Sequence, residues 1–135
     1  EEGFTDHENL IIDPSHNKFA GVKWNRDRDD ILIDETMAMQ GSCWVMSRKH
    51  WDDVIKRLDS EGYGTHYQDS IEMVFKTWRM GGRLLVNKKT WFAHKHRKFN
   101  RTHSYPGELA RVSFDHALKV WGNYYETVIK PRWMI

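Results

Sequence analysis

Apolar residues fall along the chain in several short blocks, and their spacing predicts the elements. Residues 1 to 36 hold two brief apolar runs, Leu10-Ile11-Ile12 and Ile31-Leu32-Ile33, set among Asp, Asn, Pro and charge clusters. That is the pattern of short strands between surface loops. The run from Met39 to Met46 reads as a buried strand, with a close approach of backbone at Gly41. Ser47 then stands where a helix cap belongs. Trp51, Val54, Ile55 and Leu58 follow at helical spacing, so a helix is expected over 48–58, stopped by Asp59-Ser60-Glu61-Gly62. A loop from Gly62 to Gln68 leads into a second helix over 70–80, whose stripe is Ile71, Val74, Phe75 and Trp78 and whose stop is Gly81-Gly82. Two short strands are expected next, Arg83 to Asn87 and Thr90 to His94. The tail from Glu108 to Ile129 forms a further helix with Leu109, Val112, Leu118 and Trp121 on its inner face, ending before Pro131. No internal repeat or low-complexity tract is present.

Composition narrows the class without choosing a function. The 135 residues make one domain at most, and 39% hydrophobic and 30% charged residues with seven tryptophans describe a globular chain with large anchors. Lys and Arg number 21 against 19 acids, a formal charge of +2, so no strong overall attraction to nucleic acid or membrane is expected. Cys43 is the single cysteine, which excludes an internal disulfide and fits a reducing, cytoplasmic compartment. No stretch approaches the ~20 apolar residues of a membrane span. Glu1-Glu2-Gly3 is neither a signal-peptide start nor an initiator Met, which suggests a fragment or processed product.

Two local features carry candidate chemistry on their own. Asp69-Ser70-Ile71-Glu72 has the form of a capping box, in which Asp69 accepts the Glu72 N–H and Glu72 reaches back. The loop Lys95-His96-Arg97-Lys98-Phe99-Asn100-Arg101 is basic with an aromatic inside it, a composition that binds single-stranded nucleic acid in some modules. A solvated charged face is the commoner meaning of such a run, and no helix-turn-helix or zinc-finger spacing accompanies it.

The order of several short motifs is more specific than any one of them. Gln40-Gly41-Ser42-Cys43-Trp44 precedes Tyr63-Gly64, then Gln68-Asp69-Ser70-Ile71-Glu72, then Lys76-Thr77-Trp78 with Gly81-Gly82, then Asn87-Lys88-Lys89-Thr90-Trp91-Phe92-Ala93-His94. Over roughly residues 30–106 this order resembles family 2 glycosyltransferases of GT-A fold. It is most similar to enzymes like the polypeptide N-acetylgalactosaminyltransferases, including versions encoded by tailed bacteriophages. The resemblance implies an α/β fold, the C-terminal portion of a GT-A domain with a mixed sheet flanked by helices; the helical tail over 107–135, read from its apolar spacing, lies beyond it.

It also implies roles. Gln40, Gly41, Ser42 and Trp44 would form the floor of the sugar and acceptor site, with Gly41 admitting the sugar and Trp44 walling it. Asp69 matches an acid facing the donor sugar at a helix start, and Glu72 a second acid one turn on. Such a carboxylate takes the acceptor proton in an inverting transfer or aligns the acceptor in a retaining one. Many relatives carry Glu where this chain has Asp69, a carboxylate longer by one methylene. His94 matches the late histidine that completes a manganese or magnesium site, with His96 and Arg97 beside the diphosphate.

The early Asp-x-Asp or Asp-x-His motif of the family has no convincing counterpart. Asp6-His7-Glu8 lacks the spacing, and Asp27-Arg28-Asp29-Asp30 follows a polar stretch rather than a buried strand. The nucleotide-binding strand and helix are missing as well. The chain alone is therefore expected to be inactive, its N-terminal half supplied by a longer protein or a second chain. A noncatalytic interaction protein retaining a half-fold, and a nucleic-acid-binding module using loop 95–101, are the alternatives.

Overall fold

A computed structural model describes residues 9–12, 22–25, 30–39, 41, 43–64, 68–91 and 107–133 of the protein. Helix and strand are both present, as expected. Among the described residues the strands pair only as two antiparallel ribbons rather than as a larger mixed sheet. The first ribbon joins β1 (Asn9–Ile12) to β2 (Val22–Asn25), with Leu10 opposite Trp24. The second joins β3 (Ile33–Glu35) to β4 (Leu85–Asn87), with Asp34 opposite Val86. Its ladder runs on at both ends, through Thr36 N–H to Leu84 O at 3.1 Å and Lys88 N–H to Leu32 O at 2.8 Å. Glu35 lies at the end of β3, where one carboxylate oxygen accepts from Arg83 Nε at 2.6 Å and the other from Arg132 at 3.1 Å. The Arg83 hydrogen bond above all, with Arg132 adding to it, holds the Glu35 carboxyl below the usual range against a modest opposing effect of burial.

The helices follow the predicted order with two changes of form. Ser47 caps α1 (Arg48–His50), its hydroxyl accepting from His50 N–H at 3.1 Å, and the chain then widens into a π-turn over Trp51–Ile55. The expected helix of 48–58 is thus two short pieces. A new turn, α2 (Ser60–Tyr63), occupies residues read as a simple stop. α3 (Asp69–Arg79) is the central helix and buries Ile71, Glu72, Met73, Val74, Phe75, Thr77 and Trp78. It ends as Gly81-Gly82 predicts. Gly81 takes φ +74°, its N–H bonds Trp78 O, and the Gly82 N–H bonds Thr77 O at 2.9 Å. Gly82 is needed for a different reason, since a Cβ there would lie 2.8 Å from the Thr77 methyl and 3.0 Å from the Thr77 carbonyl oxygen.

The tail helix exists but presents another face to the core. α4 (Gly107–Tyr124) continues through a second π-turn, Tyr125–Ile129, into α5 (Lys130–Trp133). Of the four residues expected inside, Trp121 is buried but Leu109, Val112 and Leu118 are exposed, while Ser113, Ala117, Tyr125 and Ile129 are buried as well. The buried residues recur every fourth position, a stripe that drifts around a 3.6-residue helix, and the wider π-turn keeps its last members on the core. The same turn lets the helix pass Pro131, whose ring would otherwise collide with the preceding turn. The core joins Ala117, Trp121, Tyr125 and Ile129 of this stripe to Met37, Ala38, Tyr63, Ile71, Val74, Phe75 and Trp78 in one cluster.

Residues 39–46 are the main correction to the predicted fold. None of the described residues among them lies in a strand, and Cys43, Trp44 and Val45 are exposed, Val45 at 95% of its maximum. A largely apolar segment fits a buried strand only when neighbouring strands pair with it, and no strand among the described residues pairs with this one. Of the second predicted strand, Thr90 and Trp91 are outside any ladder and Trp91 is exposed, while residues 92–94 are outside the described set.

Candidate functional site

The expected acids stand at the start of α3. Asp69 is its first residue, half-buried, and its Oδ1 accepts from the Ser70 N–H at 2.7 Å. The capping box is not formed. The Glu72 N–H goes to Gln68 O, and the Glu72 carboxylate turns away from Asp69 altogether. Both of its oxygens accept from the Asp59 N–H at 3.1 Å, and Lys76 Nζ lies 2.6 Å from Oε1. Lys76 also donates to the Arg57 carbonyl. Glu72 is buried, so its charge is met by an ammonium and an amide inside the fold, which an isolated buried carboxylate would lack. Asp69 and Glu72, three positions apart, therefore differ in availability: the first keeps an accessible side, and the second is committed to internal partners.

Before Asp69, the Gln68 side chain is buried and its Oε1 has no hydrogen-bond partner among the described residues. On the other flank the turn of α2 is tied down by Tyr63, whose hydroxyl accepts from Trp121 Nε1 at 3.0 Å. Burial pushes the Tyr63 phenol up to about 12, outweighing the Trp121 hydrogen bond, which acts the other way. The fold favours the neutral phenol, so Tyr63 contributes stability below the ordinary tyrosine range, and that contribution is lost as pH rises from about 10 through about 12. Denaturant melts over that alkaline range should fall more steeply for the native protein than for Tyr63→Phe.

Trp44 and Trp51 stack with planes 8° apart and ring centroids at 6.4 Å. Trp44 is 42% exposed, an aromatic surface beside the almost fully exposed Val45. A Cβ on Gly41 would meet nothing within 4 Å among the described residues, so no close backbone approach explains that glycine. Gln40, Ser42, His94, His96 and Arg97 lie outside the described residues, as does the basic loop 95–101. Among the described residues no three His, Cys, Asp or Glu side chains gather into a metal site, and no helix is long and apolar enough to cross a membrane.

Sequence reasoning missed the partner that holds Glu72. Asp59 passed for a helix stop, and the i, i+4 spacing of Glu72 and Lys76 was the available signal for the ion pair. His116 was passed over as well. Its Nε2 lies 2.7 Å from Asp59 Oδ2, and its ring meets Tyr63 edge-on at 4.8 Å. No family model, no characterised protein and no solved structure matches the chain.

Proposed function

We propose that the chain is the acceptor-side, C-terminal portion of a GT-A glycosyltransferase, moving a sugar from a nucleotide donor to an acceptor hydroxyl. The observation that carries the proposal is the element order around Asp69: an accessible carboxylate opening α3, a Gly81-Gly82 stop, then β4, in the sequence order that the motif resemblance implies. Asp69 acts as the general base or acceptor-aligning acid. Glu72, bound to Lys76 and the Asp59 amide, supports the helix start from behind. Trp44 supplies an exposed aromatic wall for the sugar, with Gln40, Gly41 and Ser42 beside it. A manganese or magnesium ion held in part by His94, with His96 and Arg97 nearby, would offset charge on the diphosphate. The nucleotide half comes from sequence outside this chain or from a second chain.

In the intact enzyme, Asp69→Asn should lower turnover by about 100-fold or more while leaving metal affinity unchanged. His94→Ala should weaken manganese stimulation and transfer together, without moving the melt of the metal-free protein. Initial rates of sugar transfer across a manganese titration measure both. Full metal-stimulated transfer by His94→Ala would overturn the assignment.

A noncatalytic interaction protein is the second proposal. Leu109, Val112, Leu118, Val120 and Val128 on the tail helix and Ile31, Leu32, Ile33 and Leu85 around the second ribbon are all exposed, apolar side chains of the kind that partner chains cover.

A further inference from the structure

Asp59 and His116 are 57 positions apart in sequence and meet at 2.7 Å. Each polar group of Asp59 has a separate task. Its N–H donates to the Glu72 carboxylate of α3 at 3.1 Å, its Oδ1 accepts from the Gly62 N–H at 2.9 Å, and its Oδ2 meets His116 of α4. Its carbonyl accepts from the Tyr63 N–H at 3.2 Å, closing the turn of α2. One residue thus fastens three helices.

Gly62 makes room for this arrangement. A Cβ there would lie 2.3 Å from both His116 Cε1 and Nε2 and 2.5 Å from Asp59 Oδ2. Those separations are far inside van der Waals contact, so the imidazole and carboxylate close over the position only because it carries no side chain.

We propose that Asp59, Gly62 and His116 form a proton-responsive latch that fastens the α2 turn to α4, tight while the imidazole is charged and looser once it is neutral. Asp59 faces the imidazole from the start of α2, and Tyr63 turns its ring edge to it from the same turn. Behind Asp59, α3 contributes Glu72 and Lys76, which are paired with each other. The Gly62 amide, and after it His116, hold the Asp59 carboxyl below its ordinary range. The alkaline side of the window is set by the imidazole, because only its protonated form meets the carboxylate as an ion pair. The neutral ring still donates one hydrogen bond, so the latch loosens without parting. Through the Asp59–Glu72 bond the change reaches the first turn of α3. The latch stands independently of the proposed transferase activity.

Amide hydrogen exchange of the full chain, normalised to unstructured-peptide rates at each pH, reads the latch at the Gly62 and Tyr63 amides. Raising pH from about 5.5 to about 8 should speed normalised exchange there by about two- to fivefold, the scale of a partly exposed ion pair. Val74 and Phe75 in the core should not change. His116→Gln and Asp59→Asn should each abolish the pH effect. So should Gly62→Ala, which displaces the pair while leaving both side chains in the protein. No pH effect in the native protein, an effect that persists in these variants, or one shared equally by Val74 and Phe75 would each overturn the latch.

Discussion

Trp78→Ala should remove ~3–5 kcal/mol of folding free energy, the range for deleting a large buried aromatic. Trp78 is only 6% exposed, at the meeting of α3 with the tail. Its Nε1 donates to Met37 O at 3.3 Å, the Arg132 guanidinium lies 4.4 Å from its ring centre, and Trp133 meets it edge-on at 6.1 Å. The substitution therefore leaves a cavity, an unpaired carbonyl and a guanidinium without its ring. Trp44→Ala removes a side chain of the same size from a half-exposed site where its ring stacks on Trp51. Its cost should be about 1 kcal/mol, the worth of one aromatic pair. Urea denaturation of the two variants side by side measures the contrast, and equal losses would mean that the loop around Trp44 carries part of the core.

Lys76→Met should be nearly as damaging, for an electrostatic reason. It strips the ammonium from a buried Glu72 and leaves the carboxylate the hydrogen bond from the Asp59 amide. Breaking a buried pair from one side costs about 3–5 kcal/mol, and the surviving amide places this case near the lower end. Replacing both groups, Lys76→Met with Glu72→Leu, should recover much of the loss, because no uncompensated charge remains inside. A double-mutant cycle from denaturant melts tests this, and a double variant no more stable than Lys76→Met alone would contradict it.

The parts of the fold legible in the sequence were those set by local chemistry. The stripe Ile71, Val74, Phe75 and Trp78 specifies α3, Gly81-Gly82 its end, and Ser47 the cap of α1. What failed depended on partners remote in sequence. Met39 to Met46 has apolar residues enough for a buried strand, but no neighbouring strand among the described residues pairs with it, and Cys43, Trp44 and Val45 lie on the surface. On the tail helix, hydrophobicity favoured Leu109, Val112 and Leu118, yet packing chose Ser113 and Ala117, whose small size allows the α2 turn and α3 to come close. At the start of α3, Asp69 and Glu72 had the spacing of a capping box, and Glu72 was drawn off by Lys76 and a backbone amide 13 positions earlier in the chain. His116 gave no sequence signal because its partners, Asp59 and Tyr63, come from a different helix.

The buried stripe of the tail is tapered. Reading from its N-terminal end, a serine and an alanine, both fully buried, give way to Trp121 and Tyr125, the first of which packs on Phe75 at 5.6 Å. A wedge of this kind has one seating depth. Sliding the helix by one turn towards its N-terminus would drive an indole into the space of Ala117, and sliding it the other way would set Ala117 opposite Phe75 and open a void. Both errors are penalised, one by overlap and the other by lost contact. The tail thus carries its own axial gauge, and the side chains that meet Tyr63 and Asp59 reach their partners because the gauge admits no other stop.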